Sequence, residues 1–215
     1  MGLKSAAIGI AASLMLFSAA PSNAATFSFN GTFSGDADVQ LFSFTVGAGA
    51  NVTLSTTSYA AGGFDPYISL YDSTGALIFQ IDDGSPNSDP GNGNAYDSFV
   101  TFPPGDGSLS ILTAGTYTLA LTQSPNLPFG SVLSDGFFFD PSETNFTAIY
   151  LCQNGQFCDQ NGNDRGNGWA LVIDGVDSAA QAGLAQTPLP AALPLFATGL
   201  GVLGFTAYRR RKAAP

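Results

Sequence analysis

The residues of this chain best suited to chemistry are nearly all aspartates. Asp36, Asp38, Asp65, Asp82, Asp83, Asp89 and Asp97 fall in turn-rich stretches of the first half. Asp82-Asp83-Gly84 is followed by Asn87, Asp89, Asn92, Asn94 and Asp97 in a loop rich in Gly and Pro. Calcium takes roughly six to eight oxygens from carboxylates, amide oxygens and backbone carbonyls, and such a loop offers all three. The expected calcium ligands are Asp36, Asp38, Asp82 and Asp83. The same residues also read as a solvated acidic loop with Asx turns, its repulsion met by diffuse screening. A second loop, Asp159 to Gly166, opens like an EF-hand. It carries Asp164 where the sixth position needs Gly and Ala170 where the twelfth needs Glu, so it reads as a Gly/Asn-rich lead into the last strand.

Catalysis has few residues to draw on. The chain has no His, which excludes His-dependent triads, His-metal sites and imidazole pH switches. Its Ser and Cys residues have no His or body Lys to activate them. Glu143 is the only Glu and sits in the turn-like Asp140-Pro141-Ser142-Glu143. No spacing pairs it with an Asp as a glycosidase would need. No glycine run has the strand-to-helix setting and Lys of a phosphate loop. The expectation is a protein that is not an enzyme. A carboxylate hydrolase would require two acids facing each other in a cleft.

Charge placement is more informative than net charge. The six basic residues are Lys4, Arg165, Arg209, Arg210, Arg211 and Lys212, and all 16 acidic residues lie between Asp36 and Asp177. The body between them has Arg165 as its single cation. Nucleic acid is therefore excluded as a partner, since phosphate contacts need Lys and Arg. Anionic lipid headgroups would also repel this body.

The two ends read as export signals. Lys4, the apolar run Ile8 to Ala20 and the small residues Ser22-Asn23-Ala24 form a signal peptide over residues 1–24. Signal peptidase would cut between Ala24 and Ala25. At the other end, Pro188-Leu189-Pro190 is followed by the uncharged stretch 191–208 and then by Arg209-Arg210-Arg211-Lys212. A helix over 191–208 would span about 27 Å, close to the bilayer core of about 30 Å. The basic stop holds that end in the cytoplasm and leaves the acidic body outside. On these signals alone, a simple membrane-anchored periplasmic domain stays open.

The elements that must position the acids read as strands. Phe27, Phe29 and Phe33 keep odd positions. Val39 to Val46, Val52 to Thr56, Tyr67 to Tyr71, Ala76 to Ile81, Ser98 to Phe102, Thr116 to Leu121 and Trp169 to Ile173 are short β-rich runs between turn clusters. Asp72-Ser73-Thr74-Gly75 is a turn between two of them. This pattern predicts an all-β, antiparallel β-sandwich or barrel over 25–177, with a linker at 178–187. Phe137-Phe138-Phe139 cannot all face inward on one strand; either one faces out or the segment folds over an open edge. Cys152 and Cys158 are the only cysteines. A disulfide is the default outside the cytoplasm, and its seven-residue loop contributes roughly 2 kcal/mol in the chain-entropy view.

The tail at 188–215 resembles the PEP-CTERM sorting signal of Gram-negative bacteria, with Leu189 where the usual motif has Glu. The resemblance implies passage through the inner membrane, cleavage near the Pro motif by an exosortase-type enzyme, and release to the cell surface or exterior. It also implies a setting rich in exopolysaccharide. Three stretches of the body resemble the bacterial pre-peptidase C-terminal module. They are Gly35-Asp36-Ala37-Asp38 through Phe42-Ser43-Phe44-Thr45-Val46, then Asp65 through Leu70-Tyr71-Asp72 to Gly75, then Leu112-Thr113-Ala114-Gly115-Thr116-Tyr117. With the cysteine pair, Trp169 and the tail, the chain is similar to a family of exported PEP-CTERM proteins. The resemblance implies a jelly-roll-like sandwich and a non-catalytic role, with calcium or an extracellular polysaccharide as partner. Exposed aromatics around Phe137 to Phe139 or at Tyr96 would favour the polysaccharide.

Overall fold

The computed structural model describes residues 24–182, apart from 92, 94, 104–111, 140, 141 and 144. The expected signal peptide up to Asn23, the end of the expected linker and the sorting tail with its Pro188, Leu189, Pro190 and Arg209 to Lys212 lie outside the described residues. No described helix is long and apolar enough to cross a membrane.

The described residues form nine strands: β1 (Ala25–Thr32), β2 (Gln40–Val46), β3 (Val52–Thr56), β4 (Pro66–Tyr71), β5 (Leu77–Ile81), β6 (Phe99–Phe102), β7 (Gly115–Gln123), β8 (Gly168–Val176) and β9 (Ser178–Gln181). Two short 3-10 turns, Leu133–Asp135 and Phe146–Tyr150, interrupt the long connection from β7 to β8. One sheet has the order β1-β8-β3-β6 and the other β5-β4-β7-β2-β9. Strand β1 pairs β8, β2 pairs β7, β3 pairs β6 and β4 pairs β5, all antiparallel. That is one long hairpin rolled on itself, the arrangement of a jelly roll.

Alternation builds the core. In β2, Phe42, Phe44 and Val46 are buried while Ser43 is exposed. In β3, Val52 and Leu54 are buried; in β8, Trp169, Leu171 and Ile173 are. Period-2 strands put these residues on one face, and the two inner faces close on each other. The Phe42 ring meets Trp169 edge-on at 5.6 Å. Near the end of β8 the backbone turns toward the second sheet at Gly175, whose φ is +80°. A Cβ there would sit 1.9 Å from the Asn51 carbonyl oxygen, so only glycine fits the corner.

One departure from the sequence reading concerns the edge of this sandwich. The expected linker at 178–187 begins with β9, so the body extends past 177. Ser178 to Gln181 pair with Thr45 to Phe42 and cap the open edge of β2, and Ala179 joins the core. Strand β4 is buried on both faces. Its side chains outside the core cluster, Tyr67, Ser69 and Tyr71, are buried as well, and the segment after β7 closes on the β4–β5 hairpin through Leu77 N–H to the Ser131 carbonyl and Leu133 N–H to the Gly75 carbonyl. Phe137 to Phe139 belong to this covering segment, with Phe138 56% exposed beside Phe129 at 65%. Tyr96 is half-buried, its ring edge-on to Tyr59 at 4.9 Å.

Candidate functional site

Loops at one end of the sandwich carry the acids, and the structure sorts them by role. Asp36 is fully buried. It accepts from the Asn145 N–H at 2.6 Å, the Thr147 N–H at 2.8 Å and the Thr147 hydroxyl at 2.6 Å. It thus holds the start of the 3-10 turn Phe146–Tyr150. Thr147 Oγ in turn accepts from the Cys158 N–H, so the grip reaches the disulfide. Asp38 accepts from the N–H groups of Ser34 and Gly35 and ties its own turn. Cys152 and Cys158 are bonded, with Cα atoms 5.5 Å apart. Ala25 is the first residue of β1, directly after the exposed Ala24.

The acids that do come together are Asp65, Asp82 and Asp83, each offering a carboxylate oxygen within 4.8 Å of the other two. Of the expected ligand set, Asp82 and Asp83 are in this group. Asp36 and Asp38 are not, because both are engaged with backbone elsewhere. Asp65 takes their place. It sits just before β4, and Asp82 and Asp83 follow β5 directly. Since Ile68 pairs with Ile81, the open end of the β4–β5 hairpin brings the three side by side. Counting back from the turn Asp72–Gly75 along both runs would have paired Asp65 with the Asp82-Asp83 doublet from sequence alone.

Burial falls across the group: Asp65 is 3% exposed, Asp82 is half-buried and Asp83 is exposed. Burial is the main force pushing the Asp65 carboxyl up to about 9, with repulsion from Asp82, Asp83, Asp159 and Asp97 adding to it. Burial also raises Asp82 to about 6, with the Asp83 charge adding and the Ser124 hydrogen bond opposing. Asp83 is raised by burial. The Tyr150 phenol is pushed up by burial, then by the charges of Asp65 and Asp82. Ser124 Oγ donates to Asp82 Oδ2 at 3.1 Å, while Oδ1 of Asp65 and Oδ1 of Asp82 are buried without a hydrogen-bond partner.

The other loop acids have partners of their own. Asp97 accepts from Thr56 Oγ and from the N–H groups of Tyr59 and Ala60. Asp159, in the loop that imitates an EF-hand, accepts from the N–H groups of Asn161 and Asn163 and from the Tyr59 hydroxyl at 2.6 Å. That loop is an Asx-type turn. Asp89 pairs with Arg165 at 2.5 Å. The Gly91 N–H and then Arg165 hold its carboxyl below the usual range.

Fold and site together define an antiparallel jelly-roll sandwich with an acidic cluster at the open end of one hairpin. Within that class, residues 38–123 match the bacterial pre-peptidase C-terminal domain family. The matched stretch runs from just before β2 to the end of β7 and contains the whole acidic group. A comparison with curated proteins finds no match.

Proposed function

We propose that the chain is an exported, non-catalytic β-sandwich protein of the bacterial cell surface or extracellular matrix. In this reading signal peptidase removes residues 1–24 and an exosortase-type enzyme cuts near Pro188-Leu189-Pro190. The observation that carries it is the fit of the folded body between the two signals. Strand β1 begins at Ala25, on the expected cleavage point, and the last described strand ends at Gln181, shortly before the Pro motif in sequence. The Cys152–Cys158 bridge supports an oxidising compartment. The test is an intact mass of the protein recovered from its host, with its cell fraction recorded. The expected mass corresponds to residues from Ala25 to a point near Thr187, outside the inner membrane. A mass retaining 191–215 in the inner membrane would replace this reading with a simple anchored periplasmic domain.

A carbohydrate-binding role on the same exported module is favoured by one surface. Phe129 and Phe138 are exposed large aromatics whose rings meet edge-on at 5.4 Å. Beside Phe138 lies a cleft of about 340 Å³ lined by Val39, Leu41, Leu133, Asp135, Phe137 and Phe139. Aromatic faces with few charges suit the apolar faces of sugar rings. Retention on an extracellular polysaccharide from the host should fall at least about tenfold in the F129A/F138A double variant, the loss of one such contact pair. Equal retention of the variant, or none by the parent chain, rejects this role.

A further inference from the structure

The described residues hold a compact source of unmet negative charge and no free cationic side chain to meet it. Arg165 is the only Lys or Arg among the described residues. Its guanidinium is already committed to Asp89, the Gly63 carbonyl and the Tyr59 carbonyl. The three carboxylates at the open end of the β4–β5 hairpin therefore face each other without a protein cation. Clustering alone would not define a site. The second observation is that Asp65, only 3% exposed, contributes a carboxylate oxygen to the group and keeps its Oδ1 without a hydrogen-bond partner, as the buried Oδ1 of Asp82 does. Buried polar atoms are satisfied in the great majority of cases, and an orphan calls for a partner. Two orphaned oxygens on neighbouring carboxylates call for a cation.

We propose that Asp65, Asp82 and Asp83 bind a calcium ion that fastens the open end of the β4–β5 hairpin to the loop leading into β6. The donors are all hard oxygens, which selects against zinc, a metal that favours nitrogen and sulfur. The ligands come from three positions on two chain segments next to β4 and β5, and an irregular set of this kind suits the adaptable shell of calcium better than the strict octahedron of magnesium. The gradient from buried Asp65 to exposed Asp83 leaves one side open to water, which supplies the remaining ligands. The loop beyond is poised for the role: Ser98 Oγ donates to the Pro66 carbonyl at 2.7 Å and to the Asp82 carbonyl. Gly84 bridges to Ser98. An ion on Asp82 and Asp83 would lock both ends of this link. The competing occupant of the same space is a proton on Asp65.

The test is calcium titration of the full chain in detergent, by calorimetry and by thermal melting. The melting temperature should rise by about 5–10 °C between chelator and calcium at a hundredfold excess over its Kd, as binding to the native state alone requires. Asp83→Asn changes an exposed side chain, so it should fold; it should weaken calcium binding at least about tenfold, the loss expected for one ligand charge. Asp38→Asn should keep the parent affinity, because Asp38 serves only Ser34 and Gly35. Equal melting in calcium and chelator would leave the proton as the occupant and overturn the site. So would an equal shift from magnesium at the same concentration, which would signify charge screening. An unchanged affinity in Asp83→Asn would do the same.

Discussion

Arg165→Met is expected to lower the melting temperature by about 6–12 °C, a loss of about 3 kcal/mol for a domain of this size. The side chain is 7% exposed and joins three loops at once. Its Nε donates to the Gly63 carbonyl at 2.9 Å, its NH1 to Asp89 and its NH2 to the Tyr59 carbonyl. The guanidinium also lies over the Tyr59 ring, 3.6 Å from its centre. Met fills much of the volume but restores none of these bonds. It leaves the Asp89 carboxylate with the Gly91 N–H as its remaining partner. Losing one member of such a pair is worse than losing both, because the survivor keeps its charge and its desolvation. The double variant R165M/D89N should therefore melt above R165M alone. Thermal melts of the three proteins settle this; a double variant that melts no higher than R165M would show that the carboxylate is indifferent to its partner.

Asp36→Ala is expected to cost about 2–4 kcal/mol, and equally so in calcium and in chelator. Three donors converge on this buried carboxylate, two of them backbone N–H groups at the start of the Phe146–Tyr150 turn. Hydrogen bonds to a charged acceptor contribute roughly 1.5–3 kcal/mol each, and stranded buried donors add a penalty. The turn it holds carries Thr147, which links to Cys158, and Phe146, whose ring stacks on Phe139 at 4.0 Å. Loss of the grip should loosen the covering segment over β4. Chemical denaturation with and without calcium measures the effect. A loss that vanishes in calcium would return Asp36 to the metal shell that its position in the sequence suggested.

That contrast shows where the sequence was readable. Strands announced themselves wherever a hydrophobic alternation had to face a core, as in Phe42-Ser43-Phe44 or Val52-Thr53-Leu54. Strand β9 did not. Ser-Ala-Ala-Gln has no β-branched or aromatic residue, and it is a strand because the edge of β2 supplies partners. The acidic residues were visible as a group, but their division of labour was not. Asp36 meets Asn145 and Thr147, more than 100 positions along the chain, and only the rolled topology makes them neighbours. Asp65 was the recoverable case, since a hairpin with a readable turn fixes which residues meet at its open end.

The rolled hairpin also sets an order in time. Ala25 finds its place opposite Val176, so the first strand waits for the eighth, and β2 for β7. Pairings between such distant stretches make folding slow, because loop closure must be met before contacts reward it. A growing chain of this design cannot complete its sandwich until β8 has emerged. Under the export proposed above, that delay would suit threading through a narrow channel, with the late arrival of β8 setting when the sandwich can close on the far side.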